Sequence, residues 1–212
     1  MDIVTIIPAY NEEETISEVL CVLKKVNKIN QIIVVSDGSS DNTVKVAESF
    51  GVTVIALEKN LGKGGAMKKG LENVSADVLL FLDADLVGLT KKHINNLLNP
   101  VLQDKADMTI GVFKKGRILT DLAQKITPKL SGQRALKSSI LEGISDLEIS
   151  RFGVEVALNN YLKKSGFRIR EVLLDNMSHI TKEEKMRILK GVNARMKMYW
   201  EIISYIIVKK ES

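Results

Sequence analysis

The 212 residues are 45% hydrophobic and 27% charged, with 14 Gly and 3 Pro, a balance that suits one globular domain and excludes disorder and collagen-like repeats. A single cysteine, Cys21, cannot form an intrachain disulfide, and no Cys/His cluster has zinc-site spacing, so a reducing, cytoplasmic compartment is expected. The net charge of +5 hides an asymmetry: residues 1–100 carry 10 Lys/Arg against 13 Asp/Glu and residues 101–212 carry 21 against 13, a basic half that attracts phosphates or anionic lipid.

The opening IVTIIPA reads as a buried strand, because its apolar run is too short, and its first residues too acidic, for a signal peptide. A helix is predicted from about Glu12 to Val26, with Asn11 as N-cap, Glu14 three residues on, and Ile16, Val19, Leu20, Leu23 and Val26 at helical spacing. There follow QIIVVSD, a helix from about Asp41 to Phe50, VTVIAL, a helix from about Gly64 to Val74, and the strand DVLLFLDAD. Gly51 and Gly166 fit helix C-caps. Next come a helix from about Lys91 to Leu102, the strand DMTIGVF and an irregular stretch from Lys114 to Asp146. A helix from Phe152 to Lys164, the strand FRIREVLL and a basic amphipathic helix from about Glu183 to Val208 complete the chain. The βαβαβαβ alternation predicts an α/β fold with a mostly parallel sheet, helices on both faces and ligands at the carboxyl ends of the strands. One domain, 1–212, is expected, with residues 1–110 as its first half, 111–181 as its second and 182–212 as a terminal helix.

Four strings carry chemistry. In FLDADL an apolar strand ends with Asp83 and Asp85 two positions apart, so that both carboxylates converge on one divalent cation; solvated acids at a strand end are the alternative. In VVSDGSSDNT, Asp37 precedes the turn and is placed to accept a hydrogen bond from a base N–H, whereas Asp41 or Thr43 reads as a cap of the next helix. In PAYNEEE, Tyr10 is placed to stack on a ring, and the acids Glu12 to Glu14 suit a helix N-terminus. In NLGKGGAMKKG the glycines admit a close ligand beside the cation Lys63; neither a Walker A motif nor a dinucleotide fingerprint is present.

Together IPAYNEEETI, VVSDGSSDNT, NLGKGGAMKKGL and FLDADL resemble glycosyltransferase family 2, enzymes of the nucleotide-diphospho-sugar transferase (GT-A) fold, over roughly residues 1–110. The resemblance implies that Pro8, Ala9, Tyr10 and Glu12 line a nucleoside pocket, that Asp37 contacts the base and that Lys63 lies near the donor. It makes Asp85 the direct ligand of Mg²⁺ or Mn²⁺ and sets Asp83 against the ribose or against the metal through water.

In the second half SGQRALKSSIL resembles the acceptor-side segment, which implies that Ser131, Gly132, Gln133 and Arg134 border the transferred sugar and the acceptor. RFGVEVALNNYLKKSGFRIREVLLDNMSH is similar to glucosyl-3-phosphoglycerate synthases, which implies that Glu155 faces the reaction centre and that His179 completes the metal site. If the anomeric carbon inverts, Glu155 is the candidate base for the acceptor hydroxyl; if configuration is retained, it positions the acceptor. His93, inside a helix without such context, reads as structural.

The expected function is metal-dependent transfer from a nucleotide sugar, a UDP-sugar above all, to an acceptor that the basic half suggests is phosphorylated, such as 3-phosphoglycerate or a polyprenyl phosphate. A sugar-phosphate nucleotidyltransferase and a silent nucleotide-binding scaffold are the alternatives. Nucleic acid is not expected as a partner, since aromatics are 5% and are not interleaved with basic residues. The terminal helix suits packing on its own domain, a homodimer or peripheral membrane contact; its apolar end, Met198 to Val208, is too short to span a bilayer.

Overall fold

A computed structural model describes residues 1–72, 74–113, 131–142 and 166–179. The chain divides into two compact units, Met1–Ser178 and His179–Ser212. The predicted helices over 152–164 and 183–208 lie outside the described residues.

The first unit is built on a seven-stranded sheet. Strands β1 (Ile3–Ala9), β2 (Gln31–Ser36), β3 (Thr53–Ala56) and β4 (Val78–Phe81) alternate with helices α1 (Ile16–Leu23), α2 (Thr43–Ser49) and α3 (Gly62–Leu71). After β4 come the short β5 (Leu86–Val87), helix α4 (Lys91–Leu102), β6 (Met108–Phe113), β7 (Arg134–Lys137), the short helix α5 (Ser139–Glu142), β8 (Ile169–Leu174) and β9 (Ser178–His179). The order is β3-β2-β1-β4-β7-β6-β8, and β5 and β9 form a separate two-stranded sheet. Pairing is parallel from β3 through β4 and between β6 and β8, whereas β7 runs antiparallel to both of its neighbours.

The apolar runs of β1, β2 and β4, interrupted in β1 by the buried Thr5, follow from this position, because a parallel sheet is covered on both faces. Alternate residues divide between two cores. Ile3, Ile7, Ile32, Val34, Val78 and Leu80 join the core that includes α1 and α4 residues, and Val4, Ile6, Ile33, Val35, Leu79 and Phe81 join the one that includes Ala66 and Met67 of α3. Gly70 of α3 lies so close to β1 and β2 that a Cβ would stand 2.7 Å from a methyl of Ile6 and 3.0 Å from one of Val35.

Three expectations are corrected. The helix predicted from Glu12 begins at Ile16, with Thr15 rather than Asn11 at its N-cap. Asn11 instead adopts φ 55°, and its side-chain oxygen accepts from Ser40 N at 2.9 Å, tying the turn after β1 to the turn after β2. The strand predicted through Asp85 ends at Phe81, and the stretch read as irregular contains β7 and α5. Other boundaries agree: IVTIIPA is β1, α4 spans the predicted residues, and Gly51, at φ +61°, follows α2 as a left-handed C-terminal residue.

An ion-pair cluster fastens the amino end of β6 to β7 and β8. Asp107 accepts from Arg168 Nε at 3.0 Å and from Lys137 Nζ at 2.7 Å, and Asp104 accepts from the same two cations at 2.6 Å each. Hydrogen bonding to the Arg168 guanidinium holds the Asp107 carboxyl well below the usual carboxylate range. A depressed folded-state pKa stabilises above the unfolded value, roughly pH 4, and that stabilisation fades as the pH falls further. Asp107→Asn is therefore expected to lower the melting temperature at pH 7, with a gap to wild type that narrows below about pH 4 in melts recorded across pH.

Candidate active site

Strand order runs outward from β1 through β2 to β3 and from β4 through β7 to β6, so the connections leaving β1 and β4 diverge and open a crevice at their carboxyl ends. The sequence places PAYN after β1 and DAD after β4.

At one end of the crevice β1 and β2 run in register, Pro8 beside Val35 and Ala9 beside Ser36, and Asp37 N donates to Ala9 O at 2.8 Å. Asp37 is 3% exposed, and its Oδ1 accepts from Leu61 N at 2.6 Å. Asn60 Nδ2 donates to the Asp37 carbonyl at 3.2 Å. Gly38, at φ +70°, has no room for a side chain, because a Cβ would lie 2.7 Å from Asn60 N. The loop before α3 is thereby laid on the end of β2. Tyr10 and Leu61, exposed by 47% and 39%, provide apolar surface next in sequence to these contacts.

At the other end Lys63 Nζ lies 2.6 Å from Asp83 Oδ1, and Gln133 Nε2 donates to Asp83 Oδ2 at 2.7 Å. Ser131 Oγ donates to Gln133 Oε1 at 2.8 Å, and Arg134 Nε donates to Ser131 O at 2.8 Å. The antiparallel pairing of β7 with β4, Arg134 opposite Phe81, delivers residues 131–133 to the carboxyl end of β4. Segment Asn60–Lys63 spans the crevice: Leu61 holds Asp37, and Lys63 holds Asp83.

Of the predicted site residues, Lys63, Asp83, Gly132 and Gln133 meet directly, and Pro8, Ala9 and Asp37 share the β1–β2 end. Asp83 and Asp85 are both half-buried and flank buried Ala84 in the turn towards β5. Gln133 and Arg134 are 0% and 1% exposed and lie beneath the surface of the crevice. Glu12 faces its own helix, its Oε2 accepting from Thr15 Oγ1 at 2.8 Å, while its N–H donates to Thr43 Oγ1. Asp41 accepts from Thr43 N at 2.9 Å, although the N-cap of α2 is Asn42 rather than Asp41 or Thr43. Glu155 and the side chain of His179 lie outside the described residues. His93 is buried in α4; burial pushes its imidazole below the usual value, and Nδ1 has no hydrogen-bond partner among the described residues. Asn60 was missed, although it stands at the head of the singled-out NLGKGG.

Residues 4–158 match the family model described as glycosyl transferase family 2. The chain is 31% identical over 195 residues to an uncharacterized protein of Methanocaldococcus jannaschii, covering 81% of this chain and 79% of that one. It is 29% identical over 185 residues to an undecaprenyl-phosphate 4-deoxy-4-formamido-L-arabinose transferase of Serratia proteamaculans, covering 76% of this chain and 56% of the relative. Among solved structures it resembles glucosyl-3-phosphoglycerate synthase from Mycobacterium tuberculosis. The crystal with Mn²⁺, UDP-glucose and phosphoglyceric acid matches at TM-score 0.71 and 26% identity, over 84% of this chain and 71% of that one. A crystal with Mn²⁺, UDP and glucosyl-3-phosphoglycerate matches in fold at TM-score 0.79 and 24% identity, over 98% of this chain and 79% of the other.

Proposed function

The chain belongs to glycosyl transferase family 2 and is a glycosyltransferase, and we propose that it moves a sugar from a UDP-sugar, in the presence of Mg²⁺ or Mn²⁺, to a phosphorylated acceptor. The observation that carries this reading is the crevice itself, which sets a buried carboxylate, Asp37, at one end and the Lys63–Asp83 pair at the other, on one continuous segment.

The Asp37 carboxylate, with one oxygen on Leu61 N, suits a base that carries an imide N–H, such as uracil; adenine and cytosine lack that donor. The carboxylates of the D-x-D turn are hard oxygen donors of the kind these cations take. In this reading Asp85 and His179 would hold the ion. Such an ion supplies charge neutralisation on the leaving diphosphate. In the transfer the bond from the anomeric carbon to the phosphate oxygen breaks with its electron pair on the phosphate. A bond to the acceptor oxygen forms; if configuration inverts, the acceptor hydroxyl's proton passes to Glu155, and if it is retained, Glu155 positions the acceptor and the proton passes to the departing phosphate oxygen. Lys63 contributes a cation at the diphosphate end.

The phosphorylated acceptor is supported by the excess of Lys/Arg in residues 101–212 and by the phosphoglyceric acid and undecaprenyl phosphate in the descriptions of two relatives. No helix among the described residues is long and apolar enough to cross a membrane. Residues 1–110 as donor half, 111–181 as acceptor half and 182–212 as a helix that packs, dimerises or meets a membrane surface are the organisation that this proposal carries.

The test is thermal stabilisation by nucleotides and nucleotide sugars with and without Mn²⁺. A ligand that binds the folded state raises the melting temperature by mass action. A UDP-sugar is expected to do so in a metal-dependent manner, ahead of ADP- and CMP-sugars; equal or absent shifts across the panel would sink the proposal.

A further inference from the structure

A fully buried primary amide is costly unless both its ends are hydrogen-bonded, and Gln133 meets that condition in a way that fixes its direction. Ser131 Oγ accepts from Gln133 N at 3.3 Å and donates its own proton to Gln133 Oε1 at 2.8 Å. With the carbonyl thus occupied, the NH₂ faces Asp83 Oδ2 at 2.7 Å. A flipped amide would set a carbonyl against a carboxylate. The other Asp83 oxygen faces Lys63 at 2.6 Å, so the carboxylate plane is pinned from two sides. Gly132, between Ser131 and Gln133, presses its Cα so close that a Cβ would meet both Asp83 oxygens and Lys63 Nζ.

We infer that Gln133 is a positioning residue of the donor site: its buried amide fixes the Asp83 carboxylate so that Lys63 is held at the diphosphate end, and nucleotide affinity depends on that bond. This places Gln133 behind the donor and makes the 131–134 segment the backing of the D-x-D turn. The inference rests on the glycosyl-transfer reading and gives a role to a fully buried side chain.

The test is calorimetric titration of UDP at saturating Mn²⁺ for the wild type, Gln133→Met, Gln133→Glu, and Gln133→Glu combined with Asp83→Asn. Losing a hydrogen bond to a charged group is expected to weaken UDP binding by about 10- to 100-fold in Gln133→Met. Gln133→Glu is expected to lose at least as much, because two carboxylates then face each other. The combined exchange reverses donor and acceptor across the same contact and leaves an amide oxygen for Lys63; although it removes the Asp83 charge from the donor site, it is expected to bind UDP about tenfold more tightly than Gln133→Glu alone. A merely space-filling Gln133 would show no such rescue. The inference is overturned if folded Gln133→Met binds UDP within twofold of wild type, or if the combined exchange binds no better than Gln133→Glu. The latter comparison decides the matter even where Gln133→Met fails to fold. A wild type that binds no UDP overturns the proposed UDP-sugar donor, and this inference with it.

Discussion

Asp85→Ala is expected to lower turnover of the nucleotide sugar by about 10²- to 10⁴-fold while leaving the melting temperature without ligand within a few degrees of wild type. Charge neutralisation by a divalent ion contributes several kcal/mol to a leaving diphosphate, and each 1.4 kcal/mol corresponds to tenfold in rate. The fold is spared because Asp85 is half-buried in a turn outside both hydrophobic cores. The measurement is UDP release from the stabilising nucleotide sugar across a Mn²⁺ titration, with 3-phosphoglycerate and a polyprenyl phosphate as acceptors. A variant that keeps wild-type turnover at low Mn²⁺ would remove Asp85 from the metal site.

Gly132→Ala is expected to reduce donor turnover by roughly 10- to 100-fold, the loss that follows when a charged hydrogen-bonded pair is displaced from a site. An added Cβ would lie 2.4 Å from Lys63 Nζ and 2.4 Å from Asp83 Oδ1, closer than atoms can approach. All three obstructing atoms, Lys63 Nζ and both Asp83 oxygens, are ends of side chains, so Lys63, long and partly exposed, swings away, the Asp83 carboxylate is forced off its Gln133 contact, and the backbone survives. The expected signature is therefore a raised KM for the donor together with a nearly unchanged thermal melt. Lys63→Ala in the same assay should give a comparable loss, and combining the two should add little, because the second change removes what the first has already displaced.

Legibility in the sequence followed physical range. Strands β1, β2 and β4 could be read because burial on both faces writes itself as consecutive apolar residues, and α4 because its buried residues Ile94, Leu97, Leu98 and Val101 recur at helical spacing. Asp37, Lys63 and Asp83 were each found beside a strand end or glycine turn, where local chemistry marks the position. What could not be read was their meeting. Gln133 reaches the carboxylate that Lys63 touches only because β7 enters the sheet antiparallel, and four residues, RALK, with a buried arginine and a closing lysine, carry neither strand alternation nor an apolar run. Asn11 shows the reverse case: a good capping residue by type, it is drawn into a left-handed turn by partners 28 and 29 residues away, Ser39 and Ser40, which no local rule detects.

The place of β7 also has a consequence for the order of folding. Strands β3, β2, β1 and β4 all lie before residue 82, although β1 and β4 pair across 75 residues (Ile3 with Val78), whereas β7 begins only at Arg134. During synthesis β7 therefore emerges after the other four strands. Until it forms, β4 is the bare rim of a four-stranded parallel sheet, its outer amides and carbonyls open to any passing strand. The step that shields this rim is the same step that seats Gln133 against Asp83, so a nascent chain acquires its donor site and loses its stickiest edge in one event.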